Sequence, residues 1–287
     1  MKNFRAYFLL FIAVVALCSC DLAKNNKAFI SEAGKALVEE LDQKNGEAGA
    51  CDASAGAAEA DDKLVMQTSP KGTPEQILER TGYVASYNKT TLLPNWVAWH
   101  LTAERTEGSA KRSGVDFAED TEVPEPRATD WDYYNSGYDR GHMCPAADNK
   151  WSKKAMEESF LFTNMCPQNG NLNRGDWNEM EMACRKWAKK YGDLYIVCGP
   201  ILYKGKHKTI GKNKVVVPEA FFKVVLRTGD DPQAIGFIYK NTSGNRPKDS
   251  YVNTVDEVER ITGIDFFPSL PDNVEKNVEA TADIANW

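Results

Sequence analysis

The sequence predicts an α+β fold, a mostly antiparallel sheet core with helices packed on it. Three observations carry this. Short runs rich in β-branched and aromatic residues recur late in the chain, at Leu194–Cys198, Val215–Val217, Phe221–Leu226 and Ala234–Tyr239. One long stretch, Asp176–Tyr191, is built from good helix formers and holds neither Gly nor Pro. Strands and helices do not alternate strictly, which argues against a parallel α/β sheet. With 287 residues, 42% of them hydrophobic, the chain has enough apolar surface for a sizeable core.

The elements follow in order. Lys2 and Arg5 precede an apolar run from Tyr7 to Leu17 and then Cys18-Ser19-Cys20. This predicts a signal peptide over 1–19, since the run is short for a membrane span. Leu17-Cys18-Ser19-Cys20 resembles a bacterial lipobox with Cys20 as the lipidated residue, although Cys18 stands where Ala, Ser or Thr is usual. An ordinary cleaved signal without lipid is the alternative. On the first reading the protein is an exported lipoprotein of the bacterial cell envelope, held to the membrane by its N-terminus. Residues 20–65 read as a flexible tether. They carry ten acidic residues against five lysines, and Asp52–Asp62 is mostly Ala and acid. Within the tether, Ile30–Leu41 reads as one weak amphipathic helix.

The domain proper is expected over 66–287. Thr73-Pro74 reads as the cap and first turn of a short helix running to Leu78. Tyr83–Tyr87 and Trp96–Leu101 read as strands around a turn at Asn88–Pro94. Residues 103–137 read as loop, Lys153–Phe160 as a helix, and Ser250–Thr262 as a late helix. Five cysteines follow Cys20, at 51, 144, 166, 184 and 198. Export would permit disulfides, and with Cys51 in the tether the other four could form two bridges in any of three pairings. No Cys-x-x-Cys pair suggests structural zinc.

The net charge of −6 excludes a passive polycation. A nucleic-acid enzyme here needs a local basic patch. Lys150, Lys153, Lys154, Arg174, Arg185, Lys186, Lys189 and Lys190 are candidates, unless they are ordinary solvated helix faces.

Only three histidines occur, and one lies in Asp139-Arg140-Gly141-His142. His142 is the side-chain type best suited to take a proton near neutral pH. Arg140 could grip a phosphate oxygen with its planar fork, and Gly141 would let the backbone pass close to a ligand. The tetrad alone fits equally a turn with a solvent-facing imidazole. Downstream lie Asn164, Asn173 and Glu181. Mg²⁺ takes oxygen ligands and keeps several waters, so a single Asn oxygen can hold it beside phosphate. On a helix beginning at Asn173, Trp177 lies about 40° and Glu181 about 80° away, all on one face. Otherwise the Asn173–Asp176 segment is a turn and cap, and Glu181 an exposed charge. His100 reads as packed within a strand and His207 as part of a hairpin tip. Tryptophans 96, 99, 177 and 187 read as core before they read as base platforms.

Asp139–His142, Thr163-Asn164-Met165-Cys166-Pro167-Gln168, Leu172-Asn173-Arg174-Gly175-Asp176-Trp177 and Glu181 together resemble the DNA/RNA non-specific endonuclease family of Serratia-type and endonuclease G-like enzymes, with its ββα-metal active site. The likeness extends to Trp96–Trp99, Tyr195–Ile201 and Val217–Lys223 and covers about 83–270. It implies a sugar-non-specific, metal-dependent endonuclease that cuts DNA and RNA to 5′-phosphate ends. His142 would be the general base and Asn173 the direct ligand of Mg²⁺, with Mn²⁺ as the substitute. Glu181 would hold the ion through water, and Asn164 would support the site. Arg140, Arg174 and Arg112 would bind substrate phosphate; the placement of Arg112 depends on a loop of variable length. A homodimer is compatible with the resemblance. The rival readings are a catalytically silent nucleic-acid-binding lipoprotein and a phosphodiesterase for a smaller ester on the same scaffold.

Overall fold

The computed structural model describes residues 63–242 and 244–287. The expected signal peptide, Cys20, Cys51 and all but Lys63–Val65 of the expected tether lie outside the described residues. No helix among the described residues is long and apolar enough to cross a membrane. Every element below belongs to one compact unit, residues 53–228 with 232–287.

The core is a seven-stranded sheet. It contains β1 (Gln76–Glu79), β2 (Val84–Asn88), β3 (Leu93–Leu101), β6 (Leu194–Ile201), β9 (Ala220–Arg227), β10 (Gln233–Lys240) and β11 (Val252–Asn253), in that spatial order. All six neighbouring pairs are antiparallel. Two short hairpins stand apart, β4 (Asp139–His142) with β5 (Met165–Gln168), and β7 (Thr209–Ile210) with β8 (Val215–Val216). The helices are α1 (Asp130–Tyr133), α2 (Lys153–Glu158), α3 (Asn178–Tyr191), α4 (Val255–Thr262) and α5 (Asp272–Glu279).

Both sheet faces are covered, which is why the central strands read as nearly continuous apolar runs. On β9, Phe221 and Val225 point to one side, and Phe222, Val224 and Leu226 to the other. The first side packs against Met180, Ala183, Cys184 and Trp187 of α3. The second packs against Val255 and Val258 of α4, Val278 of α5, and the Phe266-Phe267 pair. Tryptophans 96, 99, 177 and 187 are buried, as expected.

Several expectations are corrected. The helix expected from Thr73 is instead β1, which pairs from Gln76↔Tyr87 to Glu79↔Val84. Leu78 alone among its residues is buried, so a period of two suffices, and pairing with β2 outweighs a capped start. The late helix begins only at Val255, where the Thr254 hydroxyl accepts from the Glu257 amide at 3.2 Å. Before it, Val252–Asn253 extend the sheet and Lys248–Tyr251 form a tight turn. Helix α4 ends at Gly263 with φ +71, in the left-handed region that favours glycine. Helix α5 was not foreseen.

The bridged cysteines are also not found. Cys144, Cys166, Cys184 and Cys198 are free, buried thiols that fill the first core as small apolar side chains.

Phe222 is fully buried on the face away from α3. Phe222→Ala should therefore lower stability by about 3–5 kcal/mol in urea titrations, with the first face left in place.

Candidate active site

Three of the candidate residues, His142, Asn173 and Glu181, line one cleft. Its walls also carry Lys111, Arg112, Arg140, Lys150, Arg174 and Arg185, with Glu181 as the one carboxylate. The local basic patch demanded by a net charge of −6 is therefore present, concentrated in one concavity. Of the other candidate lysines, Lys153 and Lys154 pair with Glu157 and Glu158 along α2, and Lys189 pairs with Glu107.

The tetrad forms β4 and not a turn. Arg140 pairs with Pro167 and His142 with Met165 across the hairpin. This rigid pairing places His142 beneath an aromatic wall. Its ring meets Phe160 edge-on at 4.9 Å and Phe117 at 5.7 Å. Its carbonyl accepts from Trp177 Nε1 at 3.3 Å. His142 Nε2 is buried and has no hydrogen-bond partner. Exchange of a proton with the cleft therefore falls to Nδ1. Burial, with the Arg112 guanidinium nearby, holds the imidazole down to about 3. The ring is neutral across the physiological range.

Gly141 has a different reason from the one expected. A Cβ there would collide with the Gln168 side chain across the hairpin, so its missing side chain serves strand packing. Asn164 does not line the cleft. It is fully buried, and its Oδ1 accepts from the Cys144 amide at 2.9 Å. Its Nδ2 donates to the carbonyls of Cys144 at 2.9 Å and Ser159 at 2.8 Å. It clamps the chain two residues beyond His142.

The long helix does not start at Asn173. Residues Asn173–Trp177 form a wide π turn, broken at Gly175, and α3 proper starts at Asn178. Asp176 anchors this turn, its carboxylate accepting from the Asn245 amide at 2.6 Å and from the Tyr251 hydroxyl. Consequently the three residues expected on one face part company. Asn173 and Glu181 face the cleft, whereas Trp177 is buried against Phe221 and Tyr239.

Asp139, the first residue of the tetrad, holds the neighbouring motif. Its Oδ2 accepts from Asn173 Nδ2 at 3.0 Å and from Arg174 Nη1 at 2.6 Å. With the amide nitrogen so occupied, the Asn173 carbonyl oxygen is left for a cation. Arg140 Nε donates to Asp130 at 2.6 Å while its guanidinium lies over Phe117 at 5.2 Å. Arg112 lies over Phe160 at 5.5 Å. Beside Asp130, Trp131 and Tyr134 form an exposed edge-to-face pair at 5.7 Å, Trp131 being 78% accessible. Neither was singled out from the sequence. Their only signal was an aromatic cluster in a stretch otherwise read as loop.

Behind Glu181 lies Lys223 of β9, fully buried, its Nζ 4.4 Å from the Trp177 ring centroid and 5.0 Å from that of Trp99. Burial raises the Glu181 carboxyl to about 7, with Lys223 working in the opposite direction. Asp148, also buried, is held by Arg185 at 2.9 Å and Trp99 Nε1 at 3.1 Å. Hard oxygen donors at Asn173 and Glu181, within a field of cations suited to phosphate, fit an oxygen-loving divalent ion.

Comparison with known proteins agrees with this arrangement. The family model described as DNA/RNA non-specific endonuclease matches residues 61–273. The chain is 39% identical over 218 residues to "Nuclease EXOG, mitochondrial" of Danio rerio, covering 69% of this chain and 64% of that protein, or just under two thirds of its length. It is 36% identical over 222 residues to "Nuclease C1" of Cunninghamella echinulata var. echinulata, covering 72% of this chain and 88% of that protein. A solved structure, the EndoG/EndoGI complex, superposes with a TM-score of 0.66 at 31% identity, covering 69% of this chain and 87% of the matched one. These relatives overturn the expected bacterial envelope lipoprotein, being a mitochondrial and a fungal nuclease. A basic start followed by a short apolar run is read by targeting machinery and not by the fold, so its composition was a weak guide to destination.

Two outcomes test the geometry. Asn164→Ala strands a buried amide and two carbonyls, and should cost roughly 3 kcal/mol or more in urea titrations. The second concerns pH. Below pH 6.5 the unfolded chain protonates His142 while the folded protein resists down to about pH 3. The unfolded state then binds more protons, so stability falls as pH drops through that window. From pH 7 to pH 5, His142→Ala should lose up to about 2 kcal/mol less than wild type.

Proposed function

We propose a hydrolytic mechanism for this chain, which belongs to the DNA/RNA non-specific endonuclease family: it is a metal-dependent nuclease that cleaves DNA and RNA with little regard for sugar or base. The observation that carries the reading is the convergence of His142, Asn173 and Glu181 in one cleft bearing six cationic side chains. One small phosphate ester needs fewer. The spread of Arg112, Arg140, Lys150 and Arg174 suits successive phosphates of a strand, which favours weak sequence preference. The Trp131–Tyr134 pair offers a sequence-tolerant face for a base.

In this mechanism Arg140 and Arg112 neutralise the phosphate to be cut, and Arg174 binds beside it. His142 Nδ1 takes a proton from the attacking water. The incoming phosphate's charge offsets that of Arg112, which raises the basicity of the ring as substrate enters. Asn173 Oδ1, fixed by Asp139, would hold Mg²⁺ or Mn²⁺ directly, and Glu181 would act on it through water. When bound, the cation stabilises charge on the phosphate and the leaving oxygen. The P–O3′ bond breaks as the new P–O bond forms, the 3′ oxygen takes a proton from solvent, and the products are a 5′-phosphate and a 3′-hydroxyl. Asn164 acts through the backbone at Cys144 and touches no substrate.

Incubating the full chain with plasmid DNA and with RNA, with Mg²⁺ or EDTA, tests the proposal. Degradation of both substrates in Mg²⁺ alone is the expected result, with 5′-phosphate ends on the products. Loss of the His142 base should slow cleavage by about 10²–10⁴-fold in His142→Ala, and Glu181→Ala should lose about 10–100-fold in metal affinity or rate. Equal turnover by His142→Ala and wild type would sink the mechanism. No metal-dependent degradation would sink the nuclease itself.

A further inference from the structure

A second cluster of carboxylates lies on the other face of the sheet from the cleft. Asp256 and Glu259 of α4 and Glu279 at the end of α5 bring one oxygen each to within 4.8 Å of one another. Helices α4 and α5 pack on the second core, through Val255, Val258 and Val278. Asp256 is exposed and Glu259 half-buried, but Glu279 is only 4% accessible. Its Oε1 is buried and has no hydrogen-bond partner.

The surroundings of Glu279 make this unusual. Burial first, and then Glu259, Glu275, Asp256 and Asp265, push its carboxyl up to about 9. The charged groups that act on it most strongly are all acids. One Glu259 oxygen is engaged by the Phe266 amide at 2.8 Å. A buried, unpartnered carboxylate oxygen among acids must be satisfied by a proton or by a cation.

We propose that Asp256, Glu259 and Glu279 form a structural Ca²⁺ site that fastens α5 to α4, independent of the catalytic cleft. The choice of ion follows from the ligand set. Three protein carboxylates converge here. Ca²⁺ accepts several carboxylates with water in a flexible shell, whereas Mg²⁺ is usually held by only one or two. Exposed Asp256 opens the site to solvent, so water completes the shell, as Ca²⁺ tolerates. Neutralising three carboxylates removes the repulsion between the two helices.

The test is thermal unfolding of the full chain at pH 7.5, in Ca²⁺ and in EGTA. The background is Asn173→Ala, which removes the catalytic ligand, so that calcium in the cleft does not contribute. At a hundredfold excess over the dissociation constant, Ca²⁺ should raise Tm on the order of 5 °C in this background. The shift should vanish when Glu279→Gln is added. It should shrink markedly with Asp256→Asn, an exposed substitution that leaves packing intact. No calcium-dependent shift in Asn173→Ala would overturn the proposal, leaving Glu279 as a protonated acid. An equal shift with Glu279→Gln present would overturn it too. Because the readout is stability, failure of this site and failure of the nuclease reading are separate outcomes.

Discussion

A positive charge buried in the middle of the sheet sets the terms for this site. Lys223 points from β9 into the first core, with no solvent and no hydrogen-bond partner for its Nζ. Burial works against its charge, but the surrounding thiol and carboxyl groups, Glu181 and Asp148 among them, more than offset that and favour the ammonium. Two indole faces, Trp99 from β3 and Trp177 from the π turn, take up the remaining field. The scaffold and the cleft thus share one electrostatic unit. Glu181 reaches the cleft from α3 while its charge is felt by a lysine of the central sheet. Asp148 ties Arg185 of the same helix to Trp99.

Around this unit the cleft is assembled from pieces that are individually rigid. The β4–β5 hairpin sets His142, and the Asn164 side chain closes the backbone just beyond it. The π turn sets Asn173, with Asp176 pinning the turn and Asp139 orienting the amide. His142 and Asn173 are each held by neighbours that do not themselves line the cleft, the arrangement a preorganised site requires. Charge is distributed in the same spirit. A chain of net −6 gathers six cations in one concavity, three of them, Arg140, Arg174 and Arg185, paired with Asp130, Asp139 and Asp148 and the others facing the cleft without a carboxylate partner among the described residues. The overall balance therefore says little about the field a phosphate meets. The two sheet faces have opposite electrostatic characters, basic at the cleft and acidic where α4 meets α5.

Much of this was legible in the sequence. Asp176–Tyr191 read as a helix because its composition allows little else, and the runs at 194–198, 221–226 and 234–239 read as strands because β-branched and aromatic residues crowd them. His142, Asn173 and Glu181 stood out by their order and spacing, which a linear chain displays directly. Strand β1 was read as a helix because Thr73-Pro74 is a good local start, and only pairing with β2 overrules it. An inferred compartment only made disulfides possible for the four cysteines, and the fold keeps all four as free thiols in its core.

By itself, then, the sequence determined the α+β class, the principal strands and the family to which the chain belongs, because periodicity and motif order are properties of the chain. Tertiary structure alone decided how the motif residues divide their work. Trp177 turns inward although it sits between Asn173 and Glu181, because a π turn broken at Gly175 shifts the phase of the helix. Gly141 makes room for Gln168 and not for a ligand, and Asp139 holds Asn173. These relations join residues about thirty positions apart. They depend on which side chains the folded backbone brings together, and no local pattern in the sequence encodes that.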